Sequence, residues 1–484
     1  MINKTIAEMH NMLINKEITP SELVKQAIDR LKKTKHLNSV ITDTFEQALI
    51  LAKKLDKMEF SKDDFLFGIP YSTKDNFCTL NVKTTAGSKS LDNFVPKYNS
   101  KVVEILNENN AISIAKTNLD ELGMGGHGLY SYKGNVLNPW DNKRISGGSS
   151  SGSTVSVAVG AVAFSLGTDT GDSIRKPAAY NGIVGFKPSY GLISRNGVIP
   201  YAPSLDTVGF LTRNVEDNAI LLSHLAKHDP RDMTSKKQNL NKINIKLKKI
   251  QNKKIAFFQN VYDVLAEPIK KNYDELFNKL KANDIKIEFI NFDQELLESL
   301  EIVYTVISYA EAASTSSAID GINFGFRVEG DNYSEIMHRT RTQGFGKVVK
   351  RRFVIGSYCL SDDNQELLFN SAKKIRRLIC NALKVVFQKY DGLILPPAND
   401  YAPLIKDVEK DQENPYKRGS FVDNILLIAN LYGNPSITIP CGFWDDLPIG
   451  ININTDIYHE QDCLDLAFTI EQFTNLKNLV YEGK

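Results

Sequence analysis

A run of small residues near the middle of the chain limits the possible folds more than any other feature. From Gly147 to Ser153 every residue is glycine or serine, and a second run of small residues follows at 167–173. The apolar stretch between them, from Val155 to Phe164, demands burial, which argues against a flexible Gly/Ser linker. Small residues let the backbone approach a ligand closely. We therefore interpret the two runs as parts of a site within a folded core.

The composition is that of an ordinary globular protein. Of the 484 residues, 42% are hydrophobic and 24% are charged, and 59 basic residues against 57 acidic residues leave a net charge of +2. Such a balance creates no field that draws the chain onto DNA or an anionic membrane. We find neither a secretory signal nor the ~20 apolar residues that span a bilayer. The expected location is cytoplasmic.

Helices and strands alternate along the chain. Thr19-Pro20-Ser21-Glu22 has the residues of a capping box with proline in the first turn, which predicts a helix. Further helices are expected at 102–106 and 268–281, and extended segments at 40–45, 67–70, 112–115, 254–259 and 285–292. This alternation predicts an α/β fold.

We expect one domain over residues 1–484 rather than two independent domains. Its expected parts are an N-terminal helical region at about 1–60, a core at about 60–215, a lysine-rich seam at about 230–254 and a C-terminal elaboration at 255–484. Between Lys236 and Lys254 the chain has eight lysines and no acidic residue. Such a run is usually a solvated face, and the alternative is a contact with tRNA or a partner protein.

Several kinds of site lack their usual motif in this sequence. No GxxxxGK[ST] loop is present, and neither Gly/Ser run has the GxGxxG pattern of a dinucleotide-binding fold, which argues against ATP or NAD in this chain. The seven histidines form no HExxH set, and the five cysteines form no CxxC pair, so we expect no metal and no disulfide framework. One sequence does not exclude a histidine-based serine triad.

A hydroxyl nucleophile in a glycine-rich loop needs a base, and Lys74 is the candidate. It follows the apolar segment 67–70, whereas a surface lysine is more often flanked by other charges. A lysine acts as a base when it is uncharged, and burial among hydroxyls away from carboxylates lowers its pKa. Ser–Lys pairs are a known variant of the catalytic triad.

The loop 147–153, Lys74 upstream and Ser173 downstream together resemble the amidase signature family. The match is dense over about residues 60–215. The resemblance implies a central, mixed, twisted β-sheet covered on both sides by α-helices. It also implies amide hydrolysis through an acyl-enzyme, with Ser173 as the nucleophile. Ser149, across a cis peptide bond, would relay the proton to Lys74 as general base.

Within the family, segments outside the signature resemble the glutaminase subunits of tRNA-dependent amidotransferases. These segments are 117–121 with Met124-Gly125, 310–314 with 320–322, 344–352, and 433–435 with 439–442. The resemblance implies that glutamine is hydrolysed and that ammonia passes to a partner subunit, which amidates Glu-tRNA(Gln) or Asp-tRNA(Asn). The implied partners are a B and a C subunit, with tRNA(Gln) contacted mainly through them. ATP and Mg²⁺ are expected in the partner subunit.

The same resemblance assigns roles around the reacting amide. The oxyanion donors are the backbone N–H groups of Thr170, Gly171, Asp172 and Ser173. The glutamine-binding residues are Arg352 for the carboxylate, Asp423 for the ammonium group, and Tyr304 and Gly125 in the pocket. Ser151 and Asp172 stand where the family commonly has glycine. The Asp172 charge would oppose an oxyanion unless Arg175 or Lys176 pairs with it.

Two other functions remain open on the sequence. One is a free-standing amidase that acts on another small amide, and the other is a non-catalytic scaffold subunit whose site has decayed through Asp172. All the catalytic alternatives require Lys74, Ser149 and Ser173. Only the glutaminase requires Arg352 and Asp423.

Overall fold

The computed structural model describes residues 3–237, 243–413 and 419–483. The strands are β1 (Val40–Asp43), β2 (Pro70–Lys74), β3 (Ile112–Thr117), β4 (Phe164–Asp169), β5 (Val184–Lys187), β6 (Thr207–Thr212), β7 (Lys253–Phe258), β8 (Ile285–Ile290), β9 (Gly392–Leu395), β10 (Ser436–Trp444) and β11 (Leu447–Asn454).

The helices alternate with these strands. They are α1 (Ile6–Ile14), α2 (Pro20–Lys33), α3 (Phe45–Leu55), α4 (Lys101–Glu108), α5 (Ser151–Ala158), α6 (Arg175–Asn181), α7 (Val215–Leu225), α8 (Gln259–Tyr262), α9 (Glu267–Lys281), α10 (Gln294–Thr315), α11 (Tyr333–Gly344), α12 (Lys347–Cys359), α13 (Ser371–Lys389), α14 (Ile405–Glu413), α15 (Leu427–Tyr432) and α16 (Glu460–Thr474). Among the described residues, no helix combines the length and the apolar character needed to cross a membrane.

All of these strands belong to one mixed sheet. Its order is β1-β3-β2-β4-β6-β5-β10-β11-β9-β7-β8. Parallel pairs join β2 to β3 and β4 on one side of the sheet, and β7 to β8 and β9 on the other. Antiparallel pairs connect these two parts through the middle. The α/β fold with a mixed sheet expected from the sequence is confirmed, and the sheet takes strands from both halves of the chain.

Local sequence signals explain where several elements begin. At the start of α2 the Thr19 hydroxyl accepts the Glu22 N–H at 3.3 Å, and the Glu22 carboxylate accepts the Thr19 N–H at 2.9 Å, which completes the predicted capping box. The extended segment expected at 67–70 is displaced, since β2 begins only at Pro70. Gly68 has a φ of 71°, so a turn occupies the residues before the strand.

Two apolar clusters form most of the core. One joins α2, α3 and α5 to β3, through residues such as Ile28, Ala52, Val155 and Ile114. The larger one packs α4, α7, α9 and α16 against the remaining strands. Helices and sheet therefore share a continuous interior, on which the loops at the ends of the strands are supported.

The topology gathers the predicted site at one edge of the sheet. β2 and β4 are parallel neighbours, so their carboxyl ends lie at the same edge. Lys74 is the last residue of β2, and β4 ends at Asp169, four residues before Ser173. The connection from β3 to β4 contains Ser149, just before α5 begins at Ser151.

The lysine-rich run lies along α16. Residues 238–242, and with them Lys242, are outside the described part of the chain. In the described part, the N–H groups of Asn244, Lys248 and Ile250 donate to side chains of α16 at 2.8, 2.9 and 3.0 Å. The apolar residues of the run pack against the core, whereas its lysines are largely exposed. This arrangement agrees with a solvated face.

Two buried carboxyl groups join helices from the two ends of the chain. Asp217 in α7 accepts the Ile6 N–H of α1 at 3.0 Å, and Glu471 in α16 accepts the Val215 N–H of α7 at 3.0 Å. Burial raises the pKa of Asp217 to about 7 and that of Glu471 to about 8. The folded protein therefore retains protons here that the unfolded chain releases.

We expect the free energy of unfolding to fall as the pH rises from about 5 to about 8. Each raised pKa contributes stability that is complete below the unfolded-state pKa and is lost as the pH rises through the folded-state pKa. Glu471→Gln keeps an acceptor for the Val215 N–H but removes one ionisable group. The decrease in the free energy of unfolding over this pH range should therefore be smaller in this variant, by more than about 1 kcal/mol. Urea unfolding at several pH values measures the effect. Asp462→Asn, at an exposed position of α16, is the control, and parallel curves for Glu471→Gln and the wild type would contradict the expectation.

Candidate active site

Lys74 is buried without a carboxylate partner. It is 0% exposed, and its Nζ lies 2.7 Å from Ser149 Oγ, 3.0 Å from Ser150 Oγ and 2.8 Å from Thr168 Oγ1. The described residues include no carboxylate in ion-pair contact with it. Burial lowers its pKa to about 7, although more distant carboxylates oppose that shift. The site therefore holds an amine that is uncharged in a large fraction of molecules at neutral pH.

Two glycines turn the chain into Ser149. Gly147 and Gly148 have φ values of 81° and 57°, and a Cβ at Gly148 would lie 2.5 Å from Pro177 Cδ. Their N–H groups donate to the carbonyls of His127 and Gly126 at 3.3 and 2.9 Å. Left-handed φ and close packing both require glycine at this turn.

The cis peptide bond expected at Ser149 is not found. The described residues contain no cis peptide bond, so this expectation was wrong. The left-handed turn through the two glycines already places the Ser149 hydroxyl against Lys74 with a trans backbone.

Ser173 lies on the loop between β4 and α6, next to the Ser149 loop. It is 4% exposed, and its carbonyl accepts the Ser150 N–H at 3.1 Å. Within the described chain, its hydroxyl makes no hydrogen bond, so the structure does not link it to Ser149 or Lys74. The structure thus brings Lys74 and Ser149 into direct contact and places Ser173 on the adjoining loop, with its hydroxyl free to turn.

The loop before Ser173 presents a row of unpaired backbone donors. The N–H groups of Thr170, Gly171, Asp172 and Ser173 donate to no acceptor among the described residues. The next N–H, that of Ile174, is taken by Asp169 Oδ2 at 3.0 Å. Consecutive free N–H groups beside a hydroxyl can stabilise a developing oxyanion, and one well-aimed donor is worth ~3 kcal/mol.

A buried ion pair supports this loop from below. Arg175 Nη2 lies 2.9 Å from Asp169 Oδ1, and Nε lies 3.1 Å from Oδ2. The same guanidinium donates to the Gly171 carbonyl at 2.7 Å and to Asn430 Oδ1 at 2.6 Å. Both charged side chains are fully buried, so the pair fixes the loop while the loop N–H groups stay free.

Lys176, and not Arg175, pairs with Asp172. Lys176 Nζ lies 2.8 Å from Asp172 Oδ2, and it also donates to the Asp423 carbonyl at 2.6 Å. Asp172 does not have a positive φ, so its side chain imposes no left-handed strain. The carboxylate beside Ser173 is therefore neutralised by an adjacent ammonium group.

Arg352 is a partly buried cation without a carboxylate partner. Its Nη1 donates to Tyr201 Oη at 2.7 Å, and its guanidinium lies 4.8 Å from the centre of the Tyr309 ring. Its buried Nε has no hydrogen-bond partner, and the described residues offer it no ion pair. An unpaired donor on a partly buried guanidinium is suited to an anionic ligand.

The other predicted substrate residues lie around the same loops. A Cβ at Gly171 would lie 3.0 Å from Tyr304 Cε2, so the Tyr304 ring packs on the Ser173 loop. Asp423 accepts the Asn399 N–H at 3.4 Å and is half-buried. Gly125 lies in the segment beside the Ser149 turn, and a Cβ there would lie 2.1 Å from Asp120 Oδ2.

A cavity of about 220 Å³ reaches Thr168 and Thr170 from the side of Tyr201 and Arg195. It therefore extends from Thr168, which contacts Lys74, to Thr170, where the loop of free N–H groups begins. Lys74, Ser149 and Ser173 themselves do not line this cavity.

The sequence analysis missed the residues that hold these loops. Thr168 binds Lys74 through both its hydroxyl and its carbonyl. Asp120 accepts the N–H groups of His127, Gly128 and Tyr130 at 3.2, 3.1 and 3.0 Å, which orders the segment against which the Ser149 turn packs. Asp120 lies within the segment 117–121 that resembles the family, and this resemblance was the available signal.

Comparison with known proteins identifies related chains over nearly the whole length. The amidase family model matches residues 22–464. The A subunit of glutamyl-tRNA(Gln) amidotransferase from Pediococcus pentosaceus is 37% identical over 476 residues, which cover 98% of this chain and 97% of that protein. The protein of the same name from Mycoplasma pneumoniae is 37% identical over 484 residues, with coverage of 98% and 99%.

A solved structure shows the same fold. The crystal structure of the A subunit of glutamyl-tRNA(Gln) amidotransferase from Thermotoga maritima superposes with a TM-score of 0.78 at 29% identity, covering 98% of this chain and 95% of that chain.

We expect the reactivity of Ser173 toward phenylmethanesulfonyl fluoride to rise as the pH increases through about 7. Below that pH the Lys74 amine is protonated and has no lone pair with which to accept a proton. Lys74→Arg should remove this pH dependence, because a guanidinium stays charged, and should lower the labelling rate about 10²- to 10⁴-fold. Mass spectrometry of the adduct measures the rate. The exposed Lys246→Arg is the control, and an unchanged pH profile in Lys74→Arg would contradict the assignment.

Proposed function

The chain belongs to the amidase family and is an amidohydrolase, and from this premise we propose that it is a glutaminase that supplies ammonia to a tRNA-dependent amidotransferase. The observation that carries the proposal is the buried Lys74 amine, which is bonded to the Ser149 hydroxyl and lacks a carboxylate partner. Such an amine serves as a general base when neutral. Ser173, on the adjoining loop, is the nucleophile that we assign to it.

The proposed reaction begins with proton transfer through Ser149. The Ser173 hydroxyl turns toward Ser149 and attacks the side-chain carbonyl of glutamine, while its proton passes through Ser149 to Lys74. The N–H groups of the 170–173 loop stabilise the oxyanion. Lys74 then returns the proton to the departing nitrogen, which leaves as ammonia. Water hydrolyses the resulting ester of Ser173 by the same proton path and releases glutamate.

The proposed site recognises free glutamine by its two charged groups. We assign the glutamine carboxylate to Arg352, whose buried Nε has no partner and whose fork suits bidentate binding. We assign the ammonium group to Asp423, whose carbonyl shares Lys176 with Asp172. Tyr304 and Gly125 line the space between these groups and Ser173. Because a simple amide has no such charges, the unpaired guanidinium favours glutamine over another small amide.

We propose that the partners of this chain are a B and a C subunit. The relatives named above are A subunits of glutamyl-tRNA(Gln) amidotransferases and match this chain along nearly its full length. In this assignment ammonia passes to the partner that holds ATP, Mg²⁺ and the activated aminoacyl-tRNA, which is Glu-tRNA(Gln) or Asp-tRNA(Asn). The tRNA is contacted mainly through that partner, and the assembly works in the cytoplasm.

Arg352→Ala should raise the KM for glutamine about 10- to 100-fold, as expected for the loss of charged hydrogen bonds worth ~1.5–3 kcal/mol. Labelling of Ser173 by phenylmethanesulfonyl fluoride should remain unchanged, because that probe has no amino-acid carboxylate. The neighbouring Arg351→Ala, at an exposed position of α12, should leave both quantities unchanged. A wild-type KM in Arg352→Ala would instead favour a free-standing amidase with another substrate.

Ser173→Ala should abolish ammonia release from glutamine. The wild-type chain, co-expressed with a B and a C subunit, should release ammonia, and mass spectrometry after trapping with an electrophilic glutamine analogue should place the adduct on Ser173. Assays with and without charged tRNA show whether the two activities are coupled. A wild-type chain that stays inert and unlabelled in the complex would support a scaffold role and reject the glutaminase.

A further inference from the structure

Glu121 is a buried carboxylate outside the reaction described above. It is 3% exposed. Its Oε1 accepts the Ser88 hydroxyl at 2.6 Å, and its Oε2 accepts the backbone N–H of Gly346 at 2.8 Å. It thus connects the segment after β3 to the start of α12, the helix that carries Arg352.

The start of α12 has no cap of its own. Its N-cap residue is Gly346, which supplies no side-chain hydrogen bond, and the first turn contains no acidic residue. Helix N-termini favour a negative charge and an acceptor for their free N–H groups. A Cβ at Gly346 would lie 2.6 Å from Glu121 Oε2. Because Gly346 has no side chain, the carboxyl group of Glu121 can approach the N-terminus of α12 and accept the N–H that lacks a partner within the helix.

A second contact fixes α12 further along. A Cβ at Gly356 would lie 2.0 Å from the Tyr309 carbonyl, so the backbones of α12 and α10 touch at this point. Arg352 lies between Gly346 and Gly356, with its guanidinium over the Tyr309 ring. One anchor on each side therefore determines where the guanidinium lies relative to Tyr304 and Tyr309 of α10.

We propose that Glu121 is a positioning residue for glutamine recognition, which fixes the N-terminus of α12 and thereby holds Arg352 where it meets the substrate carboxylate. The inference rests on the proposed function, since it concerns the same substrate. Without the Glu121 carboxyl group the first turn loses its acceptor, and Arg352, within two turns of that end, loses its fixed position. Loss of Glu121 should therefore weaken substrate binding and spare the chemistry at Ser173.

The test compares two probes of Ser173 on the full-length chain. The probe 6-diazo-5-oxo-norleucine has the ammonium and carboxylate groups of glutamine, whereas phenylmethanesulfonyl fluoride has neither. In Glu121→Ala we expect labelling by the first probe to slow at least about tenfold, with labelling by the second within about twofold of wild type. In the complex, the KM for glutamine should rise by a similar factor while kcat changes little.

Three further variants separate positioning from general structural damage. Glu121→Gln should remain close to wild type, because its amide oxygen can accept the Gly346 N–H and the Ser88 hydroxyl can turn to accept the amide. Gly346→Ala should behave like Glu121→Ala, because the new methyl group meets the carboxylate. Glu409 lines the same cavity of about 470 Å³ as Glu121 but is exposed, so Glu409→Ala should have no effect.

The outcomes distinguish this inference from the proposed function. Wild-type labelling of Glu121→Ala by both probes would overturn the inference. An equal loss of both labels in Glu121→Ala and Glu121→Gln would also overturn it, because the role would then be structural only. A wild-type chain that reacts with the sulfonyl fluoride but not with the glutamine analogue would reject glutamine as the substrate, and the inference would fall with it.

Discussion

The exclusion of charge partners from Lys74 is the constraint on which the rest of the site depends. A protonated lysine can only donate hydrogen bonds, whereas a neutral amine has a lone pair that can accept one. With the nitrogen surrounded by hydroxyls of Ser149, Ser150 and Thr168, the neutral form lets Ser149 donate to it. In the proposed mechanism, the Ser149 oxygen then accepts a proton from Ser173. A carboxylate in contact with the nitrogen would keep the ammonium form and block that direction of transfer.

Several carboxylates nevertheless lie farther from Lys74, where they bind groups of the protein and not the substrate. Asp169 forms an ion pair with Arg175 below the 170–173 loop. Asp120 accepts N–H groups beside the Ser149 turn, and Glu121 accepts the N–H of Gly346 at the start of α12. Each is buried, so its hydrogen bonds are made in surroundings that compete weakly for them. The charges that organise the site are thereby kept apart from the amine that must remain neutral.

The α/β fold could be predicted from local patterns in the sequence, whereas the amidase chemistry followed from the resemblance to a known family. Capping residues, alternating elements and runs of small residues each indicate a local backbone conformation, and each is visible in a short stretch of the sequence. The partners of Lys74 and Arg175 could not be predicted, since Thr168 and Asn430 reach them through the tertiary fold. For the same reason the sequence could not decide whether Arg175 or Lys176 neutralises Asp172. Nor did a motif reveal that two left-handed glycines make the turn into Ser149 with trans peptide bonds.

The lysine-rich run shows a different way of holding a segment in place. Its backbone N–H groups, not its side chains, are bound by Gln461, Asp465 and Thr469 of α16. Two lysine side chains of the run add contacts, because Lys249 lies 4.8 Å from the centre of the Phe473 ring and Lys253 pairs with Asp391 at 2.8 Å. Exchanging the other exposed lysines leaves the three main-chain hydrogen bonds in place, whereas substitutions at Gln461, Asp465 or Thr469 remove the acceptors on which the backbone of the run depends.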